Sequence, residues 1–451
     1  MHRSLILFAT AVGVPLFGFA QPAGRASFAR DIAPVLQRKC VTCHGPDKQK
    51  GNFRLDSFEA LLRAGTSKLA PIAAGKPESS HLVKLINEKD PDERMPQKDD
   101  PLPAATLALF ARWIREGAEF DGPDRRAPLA SIIPKRQHPA PPEVYKLPLP
   151  VLALAFSPDG SQLAAGGYNE VMVWNPADGR LLRRIRGLPQ RTQALAWSAD
   201  GAWLAAGGGD PGQGGELAWI DMKKGEVARV LVSLPDVVLD VKFSPDGTQL
   251  ALGAADNSIR VLEVPSGRER LRIDQHADWV MGVAWSPDGT ELASASRDRS
   301  ARVFDARTGA LEHSYLGHNI AVFSVAFSPD GKSVLSAGRD KRVHIWTAKD
   351  ARKTGEISGF DDDIVRLAVA GGHVWSCGAD KIVRQHSADG ATLVRAYAGH
   401  ADWVYSLAVH PASQRLASGS FDGRVRIWDT GSGNLVREFI ASPGLHMAER
   451  K

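Results

Sequence analysis

The chain has 451 residues, with 56 Lys and Arg against 51 Asp and Glu and a net charge of +5. This length holds two or three domains' worth of core, or one large all-β architecture plus a smaller companion. So mild a charge gives no case for nucleic-acid binding.

Residues 1–20 read as a secretory signal. Arg3 supplies the positive start, Leu5 to Phe19 the apolar run, and Gly18-Phe19-Ala20 a small-x-small cleavage site. The run is short and broken by Gly13, Pro15 and Gly18, which favours cleavage over a retained anchor. No later stretch is apolar enough to span a bilayer. There is no twin arginine for folded export and no cysteine close enough to the cleavage site to be lipidated. The expectation is a soluble, periplasmic protein.

Residues 26–121 form the first domain. Phe28, Ile32, Val35 and Leu36 recur at helical spacing and lead into Cys40-Val41-Thr42-Cys43-His44. This C-x-x-C-H spacing lets two thiols one turn apart add to the two vinyl groups of one haem, with the adjoining imidazole beneath the iron. The pattern occurs once, so one covalently attached haem c is expected, held by Cys40, Cys43 and His44. A zinc site would need further ligands nearby, and a redox dithiol would want a βαβ context; neither is present. Further on, Ser79-Ser80 precedes Leu82, Leu85 and Ile86 as a second helix. A third follows Pro103, carries Leu107, Phe110, Trp113 and Ile114 on one face, and stops at Gly117. Met95 is the domain's only methionine and sits in a proline-stiffened loop, which makes it the leading sixth ligand; His81 and an open position are the alternatives. A Met/His pair fills both axial sites and carries electrons, whereas an open site would bind oxygen or peroxide. Arg38, Lys39, Lys48, Lys50 and Arg54 surround the attachment motif; acidic residues elsewhere balance the domain's charge, so the basic cluster reads as ordinary solvated surface, with steering of an acidic redox partner as the alternative.

Taken together, Ile32-Ala33-Pro34-Val35-Leu36, Cys40 to Pro46, Gln49 to Asp56, Gly75 to Ser80, Asp90 to Pro96 and Trp113-Ile114…Gly117-Ala118 resemble the planctomycete-type cytochrome c domain. The resemblance covers nearly the whole domain. It implies a class I-like haem c fold with His44 and Met95 as axial ligands. Gln97 stands where relatives usually have a second proline.

Residues 122–146 are rich in proline (Pro123, Pro128, Pro134, Pro139, Pro141, Pro142) and show little apolar periodicity, which predicts a semi-rigid extended linker. From 147 to 441 the chain repeats itself. Ser157-Pro158-Asp159-Gly160 recurs at Ser244, Ser286 and Ser328, with a variant at Ser198 and degenerate copies at Gly371 and Pro411. Seven units of about 40 residues, each with four short strands, predict a seven-bladed β-propeller. The longer second unit is explained by the glycine-rich insert Gly207 to Gly215. Cys377, alone in an apolar run, reads as a small core residue.

These units resemble the WD-repeat family, with the name-giving pair at Trp428-Asp429 and Gly-His at Gly317-His318 and Gly399-His400. The resemblance implies hydrogen-bonded tetrads at His318, Ser336, Asp340 and Trp346, and at His400, Ser418, Asp422 and Trp428. A third, at His276, Ser294 and Asp298, ends on Phe304, which has no donor. Function in such a ring lies on one face. Trp279 and Trp403, each in a His-Ala-Asp-Trp-Val pentapeptide, are the candidate protein-partner contacts. Either Asn434 to Ile440 or Glu143 to Leu147 would supply the closing outer strand. The repeats carry no G-x-S-x-G elbow, P-loop or H-E-x-x-H. The sequence thus predicts a multidomain protein, a small all-α haem domain followed by an all-β propeller, exported to transfer electrons to or from a redox partner protein. The alternatives are a peroxidase-like enzyme or sensor with an open sixth site, and a scaffold in which haem is structural.

Overall fold

The computed structural model describes residues 25–46, 48–97, 101–134 and 137–445; the expected signal sequence lies outside them. The chain divides into two compact units between residues 136 and 137.

The first unit is helical. Ser27 opens it, its Oγ accepting the Arg30 N–H while its own N–H is donated to Asp31 Oδ2, a reciprocal cap that satisfies otherwise orphaned amides. The wide turn Phe28–Ile32 runs on into α1 (Ala33–Lys39), where Pro34 is harmless because it lies in the first turn. Short helices α2 (Val41–His44), α3 (Phe58–Leu61) and α4 (His81–Ile86) follow, then the longer α5 (Ala104–Arg115) and α6 (Leu129–Ile132). Phe110, Trp113 and Ile114 of α5 meet Phe28, Ile32 and Leu36 in one core. Phe28 sets its ring edge-on to Phe58 at 4.7 Å, and the buried Trp113 indole donates to the Glu119 carbonyl.

The expected linker is not one extended piece. Leu129 and Ile132 share a face of α6 and are buried in the same core, and the Leu129 N–H bonds to Asp56 O at 2.8 Å. Arg125 places its guanidinium over the Phe58 ring. From residue 137 the chain belongs to the second unit, where His138 meets Glu216 at 2.8 Å and Tyr145 donates to Glu170 at 2.6 Å. Prolines here shape short ordered segments, because apolar residues three apart found a core to cover.

The second unit is β-rich, with six antiparallel sheets among the described residues. Each Ser-x-Asp-Gly turn is built alike. Ser157 Oγ donates to Asp159 Oδ1 and accepts the Gln162 N–H, while Gly160 takes φ +70°, a region closed to most side chains. The insert at 207–215 lengthens a hairpin, pairing Asp210 with Gly214. Five sheets have four strands. The other has seven, because the 17-residue strand Leu181–Trp197 pairs with Tyr168–Trp174 through its first half and with Trp203–Asp210 through its second.

The first and last sheets meet. Val151 donates its N–H to Ser420 O and accepts from Ser406 Oγ, and Val151, Leu154 and Leu163 share a core with Ala417, Val425 and Phe439. The outermost strand of the last sheet is Leu435–Ile440, and Glu143 to Leu147 forms no strand; Tyr145 instead donates its N–H to Pro443 O. A cavity of about 590 Å³ is lined by Leu154, Leu195, Asp240, Ala284, Val325, Ala368 and Leu407, each from a different strand. Cys377 is buried beside Trp375 and Tyr397.

Candidate functional site

Cys40 ends α1, and its carbonyl accepts the N–H groups of both Cys43 (3.1 Å) and His44 (3.0 Å). The two thiols and the imidazole therefore leave a single turn of backbone. Both thiols are half-buried, and burial pushes the Cys40 thiol up to about 12, so it stays protonated. Gly45 follows because a Cβ there would lie 2.6 Å from Val41 O, too close for any side chain. The chain then doubles back, with Leu55 donating its N–H to His44 O at 2.9 Å.

That return brings Phe53 O to 3.2 Å from His44 Nδ1. A carbonyl only accepts, so Nδ1 carries the ring proton and Nε2 keeps its lone pair. A backbone acceptor on the second nitrogen is how metal-binding imidazoles are oriented. The Phe53 ring stands edge-on to the imidazole at 5.5 Å.

Met95 is half-buried against the same core as Cys40, Val41 and Phe53. Its N–H bonds to Leu85 O at 3.0 Å, and Gln97 is tied to Asp92 O. His81 is the first residue of α4, half-buried, with its N–H on Ala70 O. Beside Met95, Arg94 holds its Nε buried without a hydrogen-bond partner. Two thiols on one turn, an imidazole with a fixed tautomer, a thioether in an anchored loop and an arginine with one buried, unpartnered N–H form a set that fits iron porphyrin. Of the basic residues around the motif, Lys48 and Lys50 are exposed, whereas Arg54 is engaged with Asp56 at 2.7 Å. Arg94 was not singled out from the sequence. The available signal was one arginine following Asp90, Asp92 and Glu93 in a loop where no carboxylate among the described residues pairs with it.

In the second unit the histidines of the repeats are held by hydrogen bonds. Trp346 Nε1 donates to Ser336 Oγ (3.0 Å), Ser336 Oγ lies 2.8 Å from His318 Nε2, and His318 Nδ1 lies 2.6 Å from Asp340. Trp428, Ser418, His400 and Asp422 repeat the chain. At His276 it stops at Ser294, because Phe304 has nothing to donate. Burial alone would raise Asp340, yet the His318 hydrogen bond and the His344 ring beside it hold its carboxyl far below the ordinary range.

Trp403 is 42% exposed, and Tyr405 follows at 5.9 Å with Phe421, itself exposed, at 6.0 Å beyond. Trp279 is half-buried against Val237 and Leu239, with the Arg297 guanidinium 4.3 Å over its ring. The two tryptophans thus occupy matching places but differ in availability. No helix among the described residues is long and apolar enough to cross a membrane.

Comparison with known proteins agrees with both halves of this description. Five segments, 143–175, 229–262, 267–305, 309–347 and 391–429, match the WD domain, G-beta repeat. Striatin-4 of Homo sapiens and of Mus musculus are each 54% identical to the chain over 44 residues, which is 10% of this chain and 6% of the relative. Residues 40–99, from the first thiol past Met95, match the planctomycete cytochrome C family. The chain therefore carries a cytochrome c-type domain, whose family implies haem c binding, followed by WD repeats, whose family implies protein interaction.

Proposed function

We propose that this protein is an exported, periplasmic c-type cytochrome with one covalently attached haem, that it transfers electrons, and that its second unit is a closed seven-bladed propeller docking a protein partner. The observation that carries the reading is the His44 ring, fixed through Nδ1 by Phe53 O on the same turn that presents Cys40 and Cys43. Cys40 and Cys43 would hold the macrocycle, and His44 Nε2 and Met95 sulfur would bind its iron. When bound, haem supplies a one-electron iron couple. The chain's own work is to fix the tautomer, anchor the Met95 loop at Leu85, and pack Phe28, Phe110 and Trp113 into a dry core. Ring closure is supported by the Val151 contacts with Ser406 and Ser420 and by the cavity that seven inner strands share. Trp403, with Tyr405 and Phe421, offers the partner an exposed aromatic surface.

The test is to express the full chain alongside cytochrome maturation machinery. The mature protein should gain the mass of one haem, leave the cell with the periplasmic fraction, and show a low-spin ferric spectrum unchanged by cyanide. High-spin iron that reacts with peroxide selects the enzyme reading instead, and a mass equal to the bare polypeptide overturns the proposal.

A further inference from the structure

Among the described arginines of the first unit, only Arg94 has a buried side-chain nitrogen without a hydrogen-bond partner. Arg25 meets Glu119, Arg30 meets Asp31, Arg54 meets Asp56, Arg112 meets Glu116 and Arg126 meets Glu59, all within 3.1 Å. Arg94 follows Asp90, Asp92 and Glu93, the most acidic company of any of them, yet it makes no ion pair among the described residues and its Nε is buried without a partner. A guanidinium cannot shed its proton. A buried charged donor left unsatisfied costs more than a neutral one, so such a group in a native fold calls for an explanation.

The loop gives the side chain little freedom to escape. The Arg94 N–H is bonded to Asp90 O at 2.8 Å, the next N–H, that of Met95, to Leu85 O at 3.0 Å, and Pro96 behind them is buried. The orphaned donor is thus pinned one residue from the proposed axial thioether. Haem is itself a dianion at its edge, carrying two propionate carboxylates, and a carboxylate is the group that a guanidinium fork binds best.

We propose that Arg94 is the propionate-binding residue of this site, its guanidinium completed by a haem carboxylate rather than by the protein. The inference rests on the haem reading above. Held there, Arg94 keeps a propionate ionised, orients the macrocycle against the Met95 loop, and places one positive charge beside the iron. The positive charge disfavours the ferric state relative to the ferrous.

The test compares the haem-loaded full chain with Arg94→Gln, Arg94→Lys and, as a control for a remote exposed arginine, Arg63→Gln. The midpoint potential is followed against pH, and the propionate bending band is read by resonance Raman. In Arg94→Gln the redox equilibrium should move toward ferric by roughly threefold or more, as expected for loss of one partly buried charge. Its pH-dependent step should move to higher pH, and the propionate band should shift. Arg94→Lys keeps the charge without the fork, so the potential should be largely restored while the band stays shifted. If Arg94→Gln does not load haem, the Raman band of Arg94→Lys decides alone. Variants that load haem with an unshifted band and an unchanged pH step overturn the assignment while leaving the haem reading intact. A wild-type chain without haem removes both.

Discussion

His44 and Phe53 show how much one carbonyl decides. Because Phe53 O accepts a hydrogen bond from Nδ1–H, the nitrogen facing away is free to bind a metal, and the preference is written into the backbone. Opposite it, Met95 is the residue whose loss should be informative. Met95→Ala is expected to let ferric haem take up cyanide or imidazole and to lower the midpoint potential, whereas His81→Ala should leave both unchanged. The reverse result would reassign the sixth ligand to His81. In the repeats, Ser336 joins a buried indole to a buried imidazole. Ser336→Ala orphans two polar groups and should cost about 2–4 kcal/mol, while Ser294→Ala, with Phe304 as neighbour, orphans one and should cost about 1–2 kcal/mol. Urea unfolding of the two variants checks this, and equal losses would sink the idea.

At the level of strands, one register position carries a pattern that only the repeats reveal. Four residues after the tetrad or turn aspartate stand Arg260, Arg302, Arg384 and Arg426, and in their company His344. Arg260, Arg302 and Arg384 pair with their own aspartates. His344 stacks on His318 at 4.1 Å and faces Asp340 at 3.3 Å, with Tyr315 Oη on its other nitrogen. Burial holds His318, and likewise His386, below the ordinary histidine value. The unfolded chain therefore takes up protons at these sites before the folded one does, and stability should be lost as pH falls through about 6.5. Asp340 acts in the same direction at lower pH, favouring the fold until pH drops below the ordinary carboxylate range. Urea midpoints should fall between pH 7.5 and 5.5, and His318→Gln should flatten that slope; a steeper slope in the variant would refute the assignment. The repeats and the Ser-x-Asp-Gly turns were legible in the sequence because each turn rests on residues a few positions apart, and the two tetrads followed from the resemblance to WD repeats. The C-x-x-C-H turn was legible for the same reason. The Leu129–Ile132 helix was not, since four residues among prolines give no periodicity and their burial depends on α1. Arg94 stayed hidden because what marks it is a missing partner, and His344 because its partners Tyr315 and His318 lie 26 or more residues away; only packing exposes either.

Across the whole molecule, the division between residues 136 and 137 separates two sets of contacts, each with its own core. Residues 25–136 expressed alone, with cytochrome maturation machinery and an export signal, should acquire haem and give the same spectrum as the full chain. Residues 137–451 alone should give a cooperative β-rich fold by circular dichroism. An aggregated or haem-free first fragment would show that the boundary is wrong. The strand Leu181–Trp197 has a mechanical consequence for the second unit. It is at once the last strand of one repeat and the first of the next, so neither can be peeled off without straining the other's ladder. Under load, the remaining repeats should yield singly, whereas the pair around this strand should give way in one step, releasing about 80 residues and roughly 280 Å of contour.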